Sequence, residues 1–489
     1  MIVTVSLGII AIVLISLSVV RYIRKSKKVT LRTFYVWLGM LAILGGTWAF
    51  FLPIAINSGF NKNDDGPVLR QLLIYTTGGL LGAITLGETR RKNDQDHTRQ
   101  VHAERRSRYT TAVEQLSSDK ASIRLGGVYT LAKLVDDWLD DEKTLPSKKE
   151  RRQEGQVIIN NLCAYIRSPL PLAERAEQLD TDYAKDLQND FDGDIEKFDA
   201  DKRAFARDKA ALEEERQVRL SIIKEMHEHL HNAEKPGPWS GFDYDFSNAH
   251  FFYPVDFSNS HFGASSRFFG AKFTGYADFF GAKFTGYADF SKAEFTGSAY
   301  FIDAEFTDAH FSKAEFTDAH FPMAKFTGNA DFSWAKFTGI AHFSMAKFTG
   351  IAHFSKAKFT GNADFSMAKF TGNAHFFEAE FAGNADFSWA KFTGSADFFE
   401  AEFTGGANFS GATFEEKPIF EYELYSETFK AKFSHRADPE DYNFEVSHYS
   451  PYKIETKEQE HNGIKFVIPE DAELFDPDEP SEQGNNDGN

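Results

Sequence analysis

Residues 324–350 read AKFTGNADFSWAKFTGIAHFSMAKFTG. Phe stands at 326, 332, 337, 343 and 348, in alternating steps of six and five, and each Phe has Ala two positions before it. On an α-helix those steps would turn the side chain by about 240° and 140° in alternation, so the Phe would face opposite sides instead of forming one stripe. An eleven-residue period can also wind a right-handed helical supercoil, but the Gly in every double unit and the β-branched Thr beside it favour corners and extended chain. In extended chain, residues two apart share a face. Ala and Phe then point inward together, the Lys, Asp, Glu or His between them points outward, and the T-G and S-x pairs make the corners.

The centres run from Phe246, Phe251, Phe257 and Phe262 to Phe409 and Phe414, thirty-two by direct count. Among them are Phe273, Phe284, Phe295, Phe306, Phe316, Phe326, Phe337, Phe348, Phe359, Phe370, Phe381 and Phe392. Between Phe301 and Phe326 five consecutive steps are all five. One short wall cannot bury its own Phe, whereas stacked coils can, because each Phe then lies on the one a coil below and the backbones pair. A narrow tube has room for one large and one small residue per wall, which is the role of Ala. Each buried Phe contributes about 1.5–3 kcal/mol before entropy costs.

This unit resembles that of the pentapeptide-repeat proteins, which place a small residue two before an apolar Leu or Phe centre. The resemblance covers Phe246 to Phe414 and implies a right-handed quadrilateral β-helix with four units per coil. The alternating step departs from the family's uniform five, so coils near 22 residues are expected. Eight coils would extend about 38 Å at ~4.8 Å per strand. The stretch AVEQLSSDKASIRLGGVYTLAKLV, within Glu104 to Pro171, also looks like the helical segment that joins membrane anchors to such repeats in bacterial proteins.

Stacking four units apart sets outward residues in columns. Lys283, Glu305, Lys325, Lys347, Lys369 and Lys391 form one; Lys272, Glu294, Glu315, Lys336, Lys358, Glu380 and Glu402 form another. Lys325, Lys347, Lys369 and Lys391 are the candidate interaction column. The other two hold Asp278, His320, His342, Asp364 and Asp386, and Asp289, His310, Asp331, His353, His375 and Asp397. A His and Asp ladder invites a metal or catalytic reading. It recurs with the fold, lies on a convex wall and shows no closed ligand set, so solvated polar faces are the expectation and no catalytic, cofactor or metal residue is assigned.

The first ninety residues differ in kind. Ile2 to Val20 is almost unbroken apolar sequence, followed at once by Arg21, Arg24, Lys25, Lys27, Lys28 and Arg32. A signal peptide has its charge before the apolar run, so a retained anchor is expected, with three transmembrane helices at about 2–22, 33–57 and 70–88 in residues 1–90. Basic clusters after the first and third spans belong on the cytoplasmic side by the positive-inside rule. Asp64 and Asp65 then lie outside, and everything beyond about residue 90 lies inside, giving a multi-pass protein of the cell membrane with cytoplasmic C-terminal domains. The apolar stretches 2–20 and 33–57 of the first two spans hold no Asp, Glu, Lys or Arg, so they anchor and offer no ion pathway.

Helical spacing follows. Residues 91–171 read as a juxtamembrane helical domain with a face of Ile123, Leu125, Val128, Leu131, Leu134 and Val135, a second face of Val157, Ile158, Leu162 and Ile166 closed by Pro169 and Pro171, and Gly126 and Gly127 at a close-packing or bend point. In 172–238, Leu179, Tyr183, Leu187, Phe191, Ile195, Phe198, Phe205 and Leu212 make one stripe on a long charged helix, either a coiled-coil seam or one arm of a folded-back hairpin, with Gly193 interrupting it. The β-helix occupies 242–416, a C-terminal cap 417–469 with a strand at Gly463–Pro469, and a disordered acidic tail 470–489. The fold class is thus α+β and multidomain.

With 72 acidic and 54 basic residues, the net charge of -18 argues against direct nucleic-acid binding. Cys163 is the one cysteine, so no disulfide can form within the chain. No nucleophile–base set, phosphate loop or metal motif points to an enzyme. The expected function is a membrane-anchored scaffold that binds a protein partner, with self-association left open. The alternative implied by soluble members of the family is a DNA-mimicking regulator of a topoisomerase, which calls for a uniformly acidic rod.

Overall fold

The computed structural model describes residues 31–55, 66–183, 193–231, 235–425 and 427–478, in two compact units divided between Arg105 and Arg106. In the first unit, α1 (Leu31–Ala55) touches the start of α2 (Gly66–Leu116). Gly45 permits the contact, because a Cβ there would stand 2.2 Å from Thr77 Cγ2. The sequence-expected span 2–22 lies outside the described residues. The second span coincides with α1, and the third with the beginning of α2, which runs through residue 90 unbroken. Ile43, Leu44, Phe50 and Phe51 on α1, and Leu72, Ile74, Tyr75 and Leu86 on α2, are exposed. Among the described residues no helix is long and apolar enough to cross a membrane.

The second unit opens with a helical bundle of α3 (Ala121–Leu139), α4 (Lys148–Arg167), α5 (Ala176–Asp180) and α6 (Ile195–Leu230). Leu131, Leu134, Val135, Ile158, Leu162, Ile166, Ile222 and Met226 are buried between them. Ile123 and Val157, assigned to the same faces by spacing, are exposed. Gly127 is the close-packing glycine: a Cβ would stand 2.8 Å from the Ala112 carbonyl oxygen of the last turns of α2. Gly126 faces open space. α4 is capped by Ser147, whose side chain accepts from Glu150 N, and it stops at Arg167, before Pro169.

Of the two alternatives left open for 172–238, the described residues form the folded-back arm and not one long helix. A 3₁₀ turn (Pro171–Arg175), α5 and extended chain to Tyr183 fold back on α6, which starts afresh where Asp194 accepts from Lys197 N at 3.1 Å. Tyr183 packs edge-on against Phe198 and Phe205, at 5.6 and 5.2 Å, and its hydroxyl donates to Asp201. Arg216 pairs with Asp180. The stripe is therefore shared by two antiparallel arms, with Leu212 buried and Ile195 exposed. Leu187 and Phe191 lie outside the described residues.

Beyond Trp239 the chain winds into parallel coils whose walls are strands of mostly two residues. Phe284, Phe306, Phe326, Phe348, Phe370, Phe392 and Phe414 stand in register on successive coils. Every one of the repeat centres is at most 1% exposed. Along the axis the rings stack nearly parallel, as with Phe348 and Phe370 at 4.9 Å and 3°; across the tube they meet edge to face, as with Phe332 and Phe343 at 5.3 Å and 86°. Stacking in one direction and edge contact in the other suit the ring quadrupole.

The two corner types work differently. In F-S-x-A the third residue is left-handed, with φ +62° at Trp334, and Ala335 N donates to Phe332 O at 3.1 Å. In T-G-x the Gly serves close approach instead: a Cβ on Gly350 would stand 2.3 Å from the Gly328 carbonyl oxygen one coil below. Where the steps are all five, the corner is T-D in place of T-G-x, and the coil shortens by slipping only between Phe306 and Asp308 and between Phe316 and Asp318, leaving the Phe in register.

Both ends are covered. At the first coil Arg219, 2% exposed, donates to the Ile166 and Ser168 carbonyls at the end of α4 and pairs with Glu215, while its guanidinium lies 5.7 Å from the Phe252 ring. Trp239 Nε1 donates to Asp136 and the indole stacks on His229 at 4.1 Å. At the far end the expected cap contains a ninth, irregular coil: Phe420, Phe433 and Phe444 stack on Phe398, Phe403 and Phe409 at 5.4, 4.8 and 5.8 Å. The hairpin of Glu421–Leu424 and Glu427–Lys430 interrupts that coil, and a second hairpin, Thr456–His461 with Ile464–Pro469, follows. Glu473–Phe475 pairs in parallel with Lys432–Ser434, so backbone pairing reaches into the stretch expected to be disordered; 479–489 lies outside the described residues.

Candidate interaction faces of the solenoid

Because each wall repeats Ala-x-Phe, whatever occupies x stands outward on every coil, and its electrostatics depend on its counterparts above and below. The wall bearing Lys325, Lys347, Lys369 and Lys391 keeps those residues in strict register. Lys325 Nζ lies 2.9 Å from Glu305 and 3.1 Å from Asp303, hydrogen bonds that raise its pKa. Lys391 pairs with Glu415 at 2.7 Å. Between them Lys347 and Lys369 are exposed and, among the described residues, have no ion-pair partner. The wall of Lys272 and Lys336 contrasts with this one: Lys336–Glu315, Lys358–Glu380 and Lys432–Glu402 pair at 2.7, 2.8 and 3.0 Å, and Lys272 reaches Glu174 at 3.5 Å.

The remaining two walls carry the His and Asp ladders. Asp331, His353, His375 and Asp397 stand in register. The rings of His353 and His375 are 5.2 Å apart, and His375 Nδ1 is 2.5 Å from Asp397. On the other ladder His342 Nε2 is 3.0 Å from Asp364 and 2.8 Å from Ser344 Oγ. Burial, with a second imidazole beside each, pushes His353 and His320 below the usual histidine range. Among the described residues no group of three or more His, Cys, Asp or Glu is placed to hold a metal ion. Cys163 is buried, and that burial pushes its thiol up to about 12, so thiolate chemistry is suppressed there.

At the C-terminal end two grooves open, one of about 890 Å³ lined by Trp389, Tyr442, Phe444, Val446 and Ile454, and one of about 520 Å³ lined by Asp364, Asp386, Asn408, Glu440 and Asp441. Spacing alone did not single out the corner residues Trp334, Met345, Met367 and Trp389. The signal was present, since each fills the x of F-S-x, but the reading followed walls and not corners.

Compared with known families, residues 279–322, 343–388 and 376–417 each match the family described as pentapeptide repeats (9 copies). The intervening coil keeps the same register, with Phe326, Phe332 and Phe337 fully inside. No match was found among curated proteins.

Proposed function

From the pentapeptide-repeat solenoid that this chain carries, we propose a membrane-anchored scaffold that binds a protein partner through the side walls of the solenoid on the cytoplasmic face of the membrane. The carrying observation is that Phe fills the interior while the helical bundle and the ninth coil cover the two ends, so recognition falls to the sides. The anchor is supported by the apolar stretches of the N-terminal sequence, by the exposed apolar side chains of α1 and early α2, and by Arg90, Arg91, Lys92, Arg99, Arg105 and Arg106 after them. The DNA-mimic alternative is disfavoured, because paired lysines neutralise one wall and Lys347 and Lys369 leave another locally basic.

Two measurements on intact cells test this. A membrane-impermeant maleimide should label Asp64→Cys from outside and reach Lys92→Cys only after permeabilisation; labelling of Lys92→Cys in intact cells overturns the topology. A photo-crosslinking residue at position 347 should yield a discrete protein adduct in native membranes. If adducts form nowhere on the four walls, the scaffold reading falls.

A further inference from the structure

The corner before the lysine wall carries Met323, Met345, Met367 and Trp389 on four successive coils, each two residues before Lys325, Lys347, Lys369 and Lys391. Their φ angles are +59°, +57°, +57° and +56°, a region where a Cβ is penalised and Gly or Asn is favoured. The same column holds Asn259, Gly281 and Gly411 at its ends. The four apolar side chains are 44–69% exposed. Backbone conformation therefore argues against these residue types, and burial does not call for them. Beside them stand the two lysines that have no carboxylate partner among the described residues.

We propose that this corner and its lysine wall are a docking strip for an acidic amphipathic helix of a partner protein, laid along the solenoid axis. The proposal rests on the scaffold reading and names the surface and the chemistry of the partner. Four coils at ~4.8 Å span about 14 Å, the length of about ten helical residues at 1.5 Å each. A helical turn of about 5.4 Å nearly matches the coil repeat, so Glu or Asp recurring at three and four spacing meets the lysines in turn. An apolar stripe one position round the helix meets Met345, Met367 and Trp389. Met adapts its shape to varied apolar surfaces, and Trp is a strong interface anchor. A second copy of this chain fits poorly, since twofold packing of the strip would set lysine against lysine. An anionic bilayer fits poorly too, because a flat surface over this corner also meets Asp364 and Asp386 on the wall at its other side, whereas a narrow helix can turn its acidic stripe to the lysine wall alone.

The test uses the full chain in neutral detergent and a fluorescent synthetic helix with Glu and Leu stripes at that spacing, against a scrambled peptide of equal composition. The ordered peptide should bind about tenfold tighter than the scramble, and Lys347→Glu with Lys369→Glu should remove that advantage. Met345→Asn with Met367→Asn should weaken binding about fivefold or more while raising the thermal midpoint, because Asn relieves the left-handed positions. Equal binding of both peptides, or undiminished binding by either double variant, overturns the proposal. A lowered midpoint in the Asn variant does so as well, since the residues would then be structural. Quenching of Trp389 fluorescence by brominated anionic lipid in nanodiscs, lost in Trp389→Phe, would assign the strip to lipid instead. If peptide binding fails while crosslinks at position 347 persist, the scaffold reading stands and this occupant does not.

Discussion

In the solenoid a side chain's neighbours are its own counterparts one coil away; in the helical bundle every contact is made once. Phe348 sits between Phe326 and Phe370, each copy solving the same packing problem. Arg219 has no such counterpart: one guanidinium satisfies the end of α4, a carboxylate on its own helix and an aromatic ring of the first coil. Repetition makes the solenoid's stability a near sum of like terms, and the bundle's stability hangs on particular residues. Substitutions can test that difference.

The largest effect is expected inside the stack. Phe348→Asp places an unpaired carboxylate among buried rings and should cost about 3–5 kcal/mol, whereas the neighbouring outward change Lys347→Ala should stay within about 0.5 kcal/mol. Denaturant melts of the two variants decide it, and equal midpoints would contradict a filled tube. Next comes the junction. Arg219→Met leaves the Ile166 and Ser168 carbonyls without their donor and should cost about 2–3 kcal/mol. The loss should fall on the bundle, where the guanidinium joins the end of α4 to α6, so the bundle should melt earlier while the coils keep their midpoint.

Glycine should give opposite signs in the two regions. Gly350→Ala pushes a methyl against the Gly328 carbonyl oxygen and should destabilise by about 1–3 kcal/mol. Gly126→Ala, on an exposed helical position with open space around it, should stabilise by about 0.5–1 kcal/mol.

The smallest difference is one of pH. His320 and His353 have lowered pKa values, so the fold prefers them neutral, and their contribution is lost as pH falls through about 6.5, where the unfolded chain takes up protons first. For His229, burial pulls its pKa down, but hydrogen bonds to Asp136 and to the Glu225 carbonyl outweigh it and hold the pKa above the usual value. Its contribution is present below about 6.5 and is lost as pH rises through the raised value. As pH falls from above neutrality, wild type should therefore lose stability relative to His353→Gln and gain it relative to His229→Gln; the same slope in both melting series would refute the assignment.

Much of this could be read in the residues. Alternation of Ala and Phe at steps of five and six excludes one helical stripe, sets the inward face and orders the outward columns, because in a stack a residue's environment is determined by its own repeat. That is why Lys347 and Lys369, each flanked by lysine in its column, were visible as a basic stripe. Three things were decided only when the chain closed on itself. Lys391 found Glu415 and Lys325 found Asp303, both from outside the column. Phe420, Phe433 and Phe444 completed a ninth coil although thirteen and eleven residues separate them, since an inserted hairpin erases a period in sequence without displacing a ring in space. And the arm ending at Tyr183 folded onto α6, because an apolar stripe states only that it must be covered, and which surface covers it depends on where the chain turns.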